Sequence, residues 1–184
     1  MNQLLKQIED YADQAHGNQM RKYSNDRYIV HPVRVMKTCA QYTTKTEMLA
    51  AALLHDVLED TTVTEKDMLL FLETLMDKHQ AEQTLKLVIE LTDVYTKKAY
   101  PHLNRKQRKE KETQRIAQTS ADSQTIKYAD ILDNCKEIVS KDPHFAPRFL
   151  KECQAILKVA DKGDKELYEI VNQAVYTAWQ SIRM

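Results

Sequence analysis

Glycine and proline are nearly missing from this chain: two and four, respectively, in 184 residues. So few turn formers exclude a β-sandwich or a loop-rich scaffold, because both need tight turns every few residues. Net charge is missing too, since 27 basic residues balance 27 acidic ones. No global field therefore points at nucleic acid or an anionic membrane. There is no CxxC pair among Cys39, Cys135 and Cys153, so a zinc ribbon or a disulfide framework is not expected, and the three read as reduced, buried thiols. The N-terminal MNQLLKQIEDYADQ has no apolar signal core, and the longest apolar stretch, MLAAALL, is too short to span a bilayer. The expectation is a soluble, cytoplasmic protein, one domain over residues 1–184, with no membrane or nucleic-acid partner.

What remains is Ala, Leu, Lys, Glu and Gln, the composition of an all-α fold, here a compact multi-helix bundle. Leu4, Leu5, Ile8, Tyr11, Ala12 and Ala15 recur at helical spacing, and Gly17 can stop that helix. Residues 16–30 read as a loop, and Pro32 suits the first turn of a helix to about residue 41. A helix over 46–59 follows, apolar on nearly every face along MLAAALL and so central. Thr62 or Thr64 can cap a short helix to Leu75. Further helices are expected over 80–95, 120–140, 145–160 and 164–182, with Pro143 and Gly163 between the last three. Tyr176 and Trp179 share helical spacing with Val171, Ala174 and Val175, which predicts that they pack on the core.

Segment 97–115 is lopsided: eight basic residues face Glu110 and Glu112. It reads as a solvated charged face or as a basic flap that steers a polyanion.

The chemistry concentrates in LLHDVLED, residues 53–60. On a continuous helix, with His55 at zero, Glu59 falls at about 40°, Asp56 at about 100° and Asp60 at about 140°. Leu54, Val57 and Leu58 lie opposite. Carboxylates clustered behind an apolar face are costly unless something positive compensates them. A divalent metal does so economically, with His55 and Asp56 both able to reach it at a helix end. Three further stretches supply complementary parts. RYIVHP (27–32) brings His31 to a helix start. IKYADILDN (126–134) puts Lys127, Asp130 and Asn134 on one stripe. HGNQMRKY (16–23) carries Arg21, suited to stacking on a base, and Lys22, suited to phosphate or purine oxygen.

In order and spacing, these four stretches resemble the motifs of the RelA/SpoT-type HD hydrolase domain, over roughly residues 5–160. The likeness is to its free-standing small alarmone hydrolases, including the metazoan form, and implies a hydrolase without synthetase or regulatory domains. It implies that His31, His55, Asp56 and Asp130 hold one metal, usually Mn²⁺ in that family, although the donor set also accepts Fe, Co, Ni or Zn. It makes Glu59 and Asp60 the catalytic pair that deprotonates water. Arg21 and Lys22 would lie around guanine and Asn134 near ribose, while Lys127 can neutralise phosphate. The implied reaction takes ppGpp or pppGpp to GDP or GTP and pyrophosphate, the degradative step of the stringent response. Two departures stand out. SNDR replaces the usual Gly-x-Pro turn before the tyrosine of YIxHP, beside the expected base pocket, and KYAD replaces KLAD. Other HD phosphohydrolases, acting on NADPH or on 5′-mononucleotides, and a guanine-nucleotide sensor without turnover are the competing readings. Oligomeric state is not legible.

Overall fold

The computed structural model describes residues 3–182 and, among these, contains ten helices and no strand. The all-α expectation is borne out. Contacts cluster into two compact units, residues 1–92 and 93–184.

The first unit is organised by one helix. The early elements are α1 (Gln3–His16), α2 (Val30–Cys39), α3 (Thr46–Leu54), α4 (Val57–Asp60), α5 (Glu65–Glu73) and α6 (Lys78–Leu91). In α3 every residue from Met48 to Leu54 is buried. A helix apolar all round has no face for water, so it must be covered on all sides. Here α1, α2 and α6 pack against it. Gly17, at φ +57°, ends α1 in the left-handed conformation that glycine adopts without a Cβ penalty. Thr64 caps α5 in a reciprocal box with Asp67, whose N–H donates to the Thr64 hydroxyl while the Asp67 carboxylate accepts the Thr64 N–H. The expected helix over 46–59 is corrected: it breaks at His55–Asp56, between α3 and α4.

The second unit holds α7 (Arg105–Ile116), α8 (Ala121–Lys141), α9 (Ala146–Leu157) and α10 (Lys165–Ser181). Within the basic segment, residues 97–104 are turns and the rest forms the surface helix α7, part of whose charge is paired. Arg105 makes a two-point pair with Glu152 (2.9 and 2.8 Å), and Lys109 pairs with Asp93 at 2.7 Å. Tyr176 also departs from expectation, being 57% exposed. The buried stripe of α10 runs Leu167, Val171, Val175, and Tyr176 lies one helical step off it. All three cysteines are free and buried, as expected. Burial pushes the Cys39 thiol up to about 12, and contact with Cys135 together with burial raises Cys153.

Polar contacts stitch the α9–α10 connection onto α8. The Tyr128 hydroxyl donates to the Ala160 carbonyl (2.5 Å) and accepts the Gly163 N–H (3.3 Å). The Asp164 N–H donates to Thr125 Oγ1 and the Lys162 N–H to Gln124 Oε1, each at 2.8 Å. A Cβ on Gly163 would sit 2.4 Å from Tyr128 Cε2 and 2.9 Å from the Thr125 nitrogen. The neighbour in that last contact is main chain and cannot swing aside. Gly163→Ala is therefore expected to destabilise the protein by about 1–3 kcal/mol, the usual cost of overpacking, read as a lower urea midpoint at unchanged slope.

Candidate active site

The break after Leu54 is where three of the four candidate ligands, His31, His55 and Asp56, gather. Asp56 sits at the edge of the right-handed helical region (φ −98°, ψ −7°), interrupts the regular helix and becomes the residue before α4. His55 is 4% exposed, and its Nδ1 lies 2.9 Å from the Ala52 carbonyl. A carbonyl only accepts, so Nδ1 carries the hydrogen and, in the neutral ring, Nε2 is the acceptor. That Nε2 faces Asp56 Oδ2 at 3.1 Å. His31, buried in the first turn of α2, turns its own Nε2 to the same oxygen at 3.7 Å. The two imidazoles meet edge-on, with ring centroids 5.2 Å apart.

One ligand atom from each of His31, His55 and Asp56 lies within 4.8 Å of the other two. Two acceptor atoms, a ring nitrogen and a carboxylate oxygen, face each other across 3.1 Å, and in a buried setting that is favourable only with positive charge between them. Two imidazole nitrogens and a carboxylate oxygen are also the donor types that bind divalent first-row metals. The residues present fit such an ion.

The same Asp56 oxygen is also held by a residue to which the sequence assigned no role. The Tyr28 hydroxyl donates to Asp56 Oδ2 at 2.6 Å. It stands in RYIVHP, three residues before His31, so the motif carried the signal. Support of a ligand carboxylate in this way orients it and tunes its charge.

Glu59 and Asp60 lie on α4, one turn beyond Asp56, and both are exposed rather than in an internal cleft. The Asp60 N–H donates to the Asp56 carbonyl at 2.9 Å, which ties the two positions together. Asp60 Oδ2 accepts the Gln19 side-chain amide at 3.3 Å. Arg21 and Lys22 occupy a tight turn in which the Arg21 N–H donates to the Asp26 carbonyl and Met20 bridges to Arg27. The Arg21 guanidinium lies 5.8 Å from the Tyr28 ring centroid, and Lys22 donates to the Tyr23 hydroxyl at 2.7 Å. Ser24 and Asp26 of the unusual SNDR turn bond to each other at 2.9 Å. Arg27, in place of proline, is engaged by the Gly17 carbonyl (3.0 Å) and Asp13 (2.9 Å).

The remaining candidates form their own cluster in the second unit. On α8 the buried Asp130 accepts Lys127 Nζ at Oδ2 (2.8 Å) and Asn134 Nδ2 at Oδ1 (2.6 Å). The expected stripe is real, and its polar groups grip one another. Lys127 neutralises a carboxylate in the same helix.

Comparison with known proteins gives the family and the fold. A model of the HD domain matches residues 9–159. The chain is 31% identical, over 73% of its length and 18% of the other's, to a probable guanosine-3′,5′-bis(diphosphate) 3′-pyrophosphohydrolase of Mycoplasma pneumoniae. It is 45% identical, over 42% of its length and 10% of the other's, to the bifunctional (p)ppGpp synthase/hydrolase SpoT of Escherichia coli. It spans less than a fifth of the length of these curated relatives. In fold it is similar to a solved structure described as a metazoan ortholog of SpoT that hydrolyses ppGpp and plays a role in starvation responses. There the TM-score is 0.78 at 23% identity, over 96% of each chain.

Replacing Tyr28 by Phe keeps the ring and removes the donor to Asp56. We expect divalent-metal affinity, measured by titration calorimetry with Mn²⁺ as the probe ion, to fall about 10–100-fold, the usual cost of losing a hydrogen bond to a metal ligand. The thermal midpoint of the metal-free protein should stay close to that of the wild type.

Proposed function

The chain belongs to the HD domain family, and from that premise we propose that it is a metal-dependent (p)ppGpp 3′-pyrophosphohydrolase acting in the stringent response. The observation that carries this reading is the convergence of His31 Nε2, His55 Nε2 and Asp56 Oδ2 one helical turn before two exposed carboxylates. The names of the relatives support the substrate class.

In this reading His31, His55, Asp56 and Asp130 hold one divalent cation, Mn²⁺. When bound, such an ion supplies Lewis acidity toward water and phosphoryl oxygen. The protein's own groups do the rest. Tyr28 keeps Asp56 oriented. Glu59 and Asp60 position the attacking water and accept its proton on a carboxylate oxygen. Water adds to the phosphorus attached to the ribose 3′-oxygen, that P–O bond breaks, and ppGpp plus water becomes GDP plus pyrophosphate (pppGpp gives GTP). Arg21 and Lys22 recognise guanine and neighbouring phosphate, Asn134 lies near the ribose, and Lys127 offsets phosphate charge. The contacts of Arg21 and Lys22 to Tyr28 and Tyr23 pre-form the loop that presents them.

We also propose that residues 1–184 work as one catalytic domain, since the family match runs through the division at residue 92. Its partner is a small nucleotide rather than nucleic acid. The neutral chain and the ion-paired α7 support this. A cytoplasmic location follows from such a substrate, and no helix among the described residues is long and apolar enough to cross a membrane.

Turnover of ppGpp, pppGpp, NADPH and dAMP with Mn²⁺ and with EDTA, products resolved by ion exchange, tests the reading. We expect pyrophosphate with GDP or GTP, abolished by EDTA and by Asp56→Ala. Asp60→Asn should lower kcat by about 10²–10⁴, the range for loss of a general base. Phosphate from NADPH or dAMP alone would replace the substrate. No turnover at all would favour a sensor.

A further inference from the structure

His16 closes α1 and is 7% exposed. Its ring leans on Tyr28, with centroids 4.5 Å apart and planes at 35°. Its Nδ1 lies 2.9 Å from Gln19 Oε1, and Gln19 Nε2 lies 3.3 Å from Asp60 Oδ2. Only one hydrogen assignment satisfies all of these contacts. An ionised carboxylate can only accept, so Gln19 turns its NH₂ to Asp60. Oε1 then faces His16, and Nδ1 must donate. The main chain of Gln19 is tied at both ends: its N–H donates to the His16 carbonyl (3.0 Å), and its carbonyl accepts the Tyr28 N–H (2.9 Å). His16, Gln19 and Tyr28 are thus joined into one block. That block reaches Asp56 through the Tyr28 hydroxyl and Asp60 through the Gln19 amide.

Asp60 needs such help. It is an exposed side chain at the end of a four-residue helix, where rotamers interchange freely unless held. We infer that His16 and Gln19 are positioning residues which lock the Asp60 carboxylate in the orientation that accepts the proton of water. This rests on the role given to Asp60 above. An amide cannot relay a proton, so the contribution is geometric: Gln19 occupies Oδ2 and leaves Oδ1 for the proton. His16 Nδ1–H keeps the amide from flipping, since a flipped amide would set two donors and two acceptors face to face.

Two measurements on the full-length protein test this. The first needs no substrate and follows the ¹⁵N-labelled Gln19 side-chain amide by NMR, where Asp60→Ala and His16→Phe should each shift its resonances. The second is steady-state turnover of ppGpp with Mn²⁺, alongside Mn²⁺ affinity by calorimetry. Gln19→Leu should lower kcat about 10–100-fold, the penalty for a reacting group misplaced by about 1 Å, with KM and Mn²⁺ affinity within about twofold of wild type. His16→Phe keeps the stacking on Tyr28 but should lose kcat likewise. His16→Asn offers an N–H near the Nδ1 position and should recover most of it. An amide resonance indifferent to Asp60→Ala, a kcat unchanged in Gln19→Leu, or His16→Asn as impaired as His16→Phe would overturn the inference. If the wild type leaves ppGpp intact, the substrate reading fails, and the NMR result alone decides whether the block holds Asp60.

Discussion

Two imidazole nitrogens and one carboxylate oxygen turned upon a single point form the constraint to which the rest of the first unit answers. Such an arrangement is electrostatically unfavourable by itself, so each member has to be held by something outside the cluster. His55 is held by a main-chain carbonyl of the buried helix α3, His31 by its place in the buried first turn of α2, and Asp56 by the Tyr28 hydroxyl. The all-round burial of α3 gains its meaning here. A helix that cannot shift without exposing Leu53 or Leu54 is a fixed mount for the His55 ring that follows it.

The break in the helix serves the same end. On an unbroken helix, adjacent residues point about 100° apart and diverge. The bend at Asp56 lets neighbouring side chains turn upon one point instead, and a new short helix then carries Glu59 and Asp60 into solvent.

Much of this was legible in the sequence, and what was not has common physical causes. Uniform apolarity from Met48 to Leu54 announces a central helix because burial is its only outcome. Thr64 and Gly17 declare helix ends through local chemistry that needs no partner far away. The break at His55–Asp56 is invisible to periodicity, since the pattern of apolar residues runs on through it. The bonds of Tyr28 to Asp56 and Gln19 to Asp60 span 28 and 41 residues, and no spacing rule encodes contacts of that separation. The same applies to α7. Its excess charge looked available from the local sequence, but Asp93 and Glu152, 16 and 47 residues away, absorb part of it. Tyr176 was misjudged by one helical step, which is enough to move a side chain from the core to water.

The unequal burial of α3 and α4 also sets two clocks within one site. Amide hydrogens along the buried stretch Ala50–Leu54 are expected to exchange only through a large opening of the unit. Those of the four-residue α4 can be released by a local fluctuation of much lower free energy. His55, which follows α3, is therefore fixed on the slower of these timescales, whereas the backbone that carries Glu59 and Asp60 belongs to the faster one.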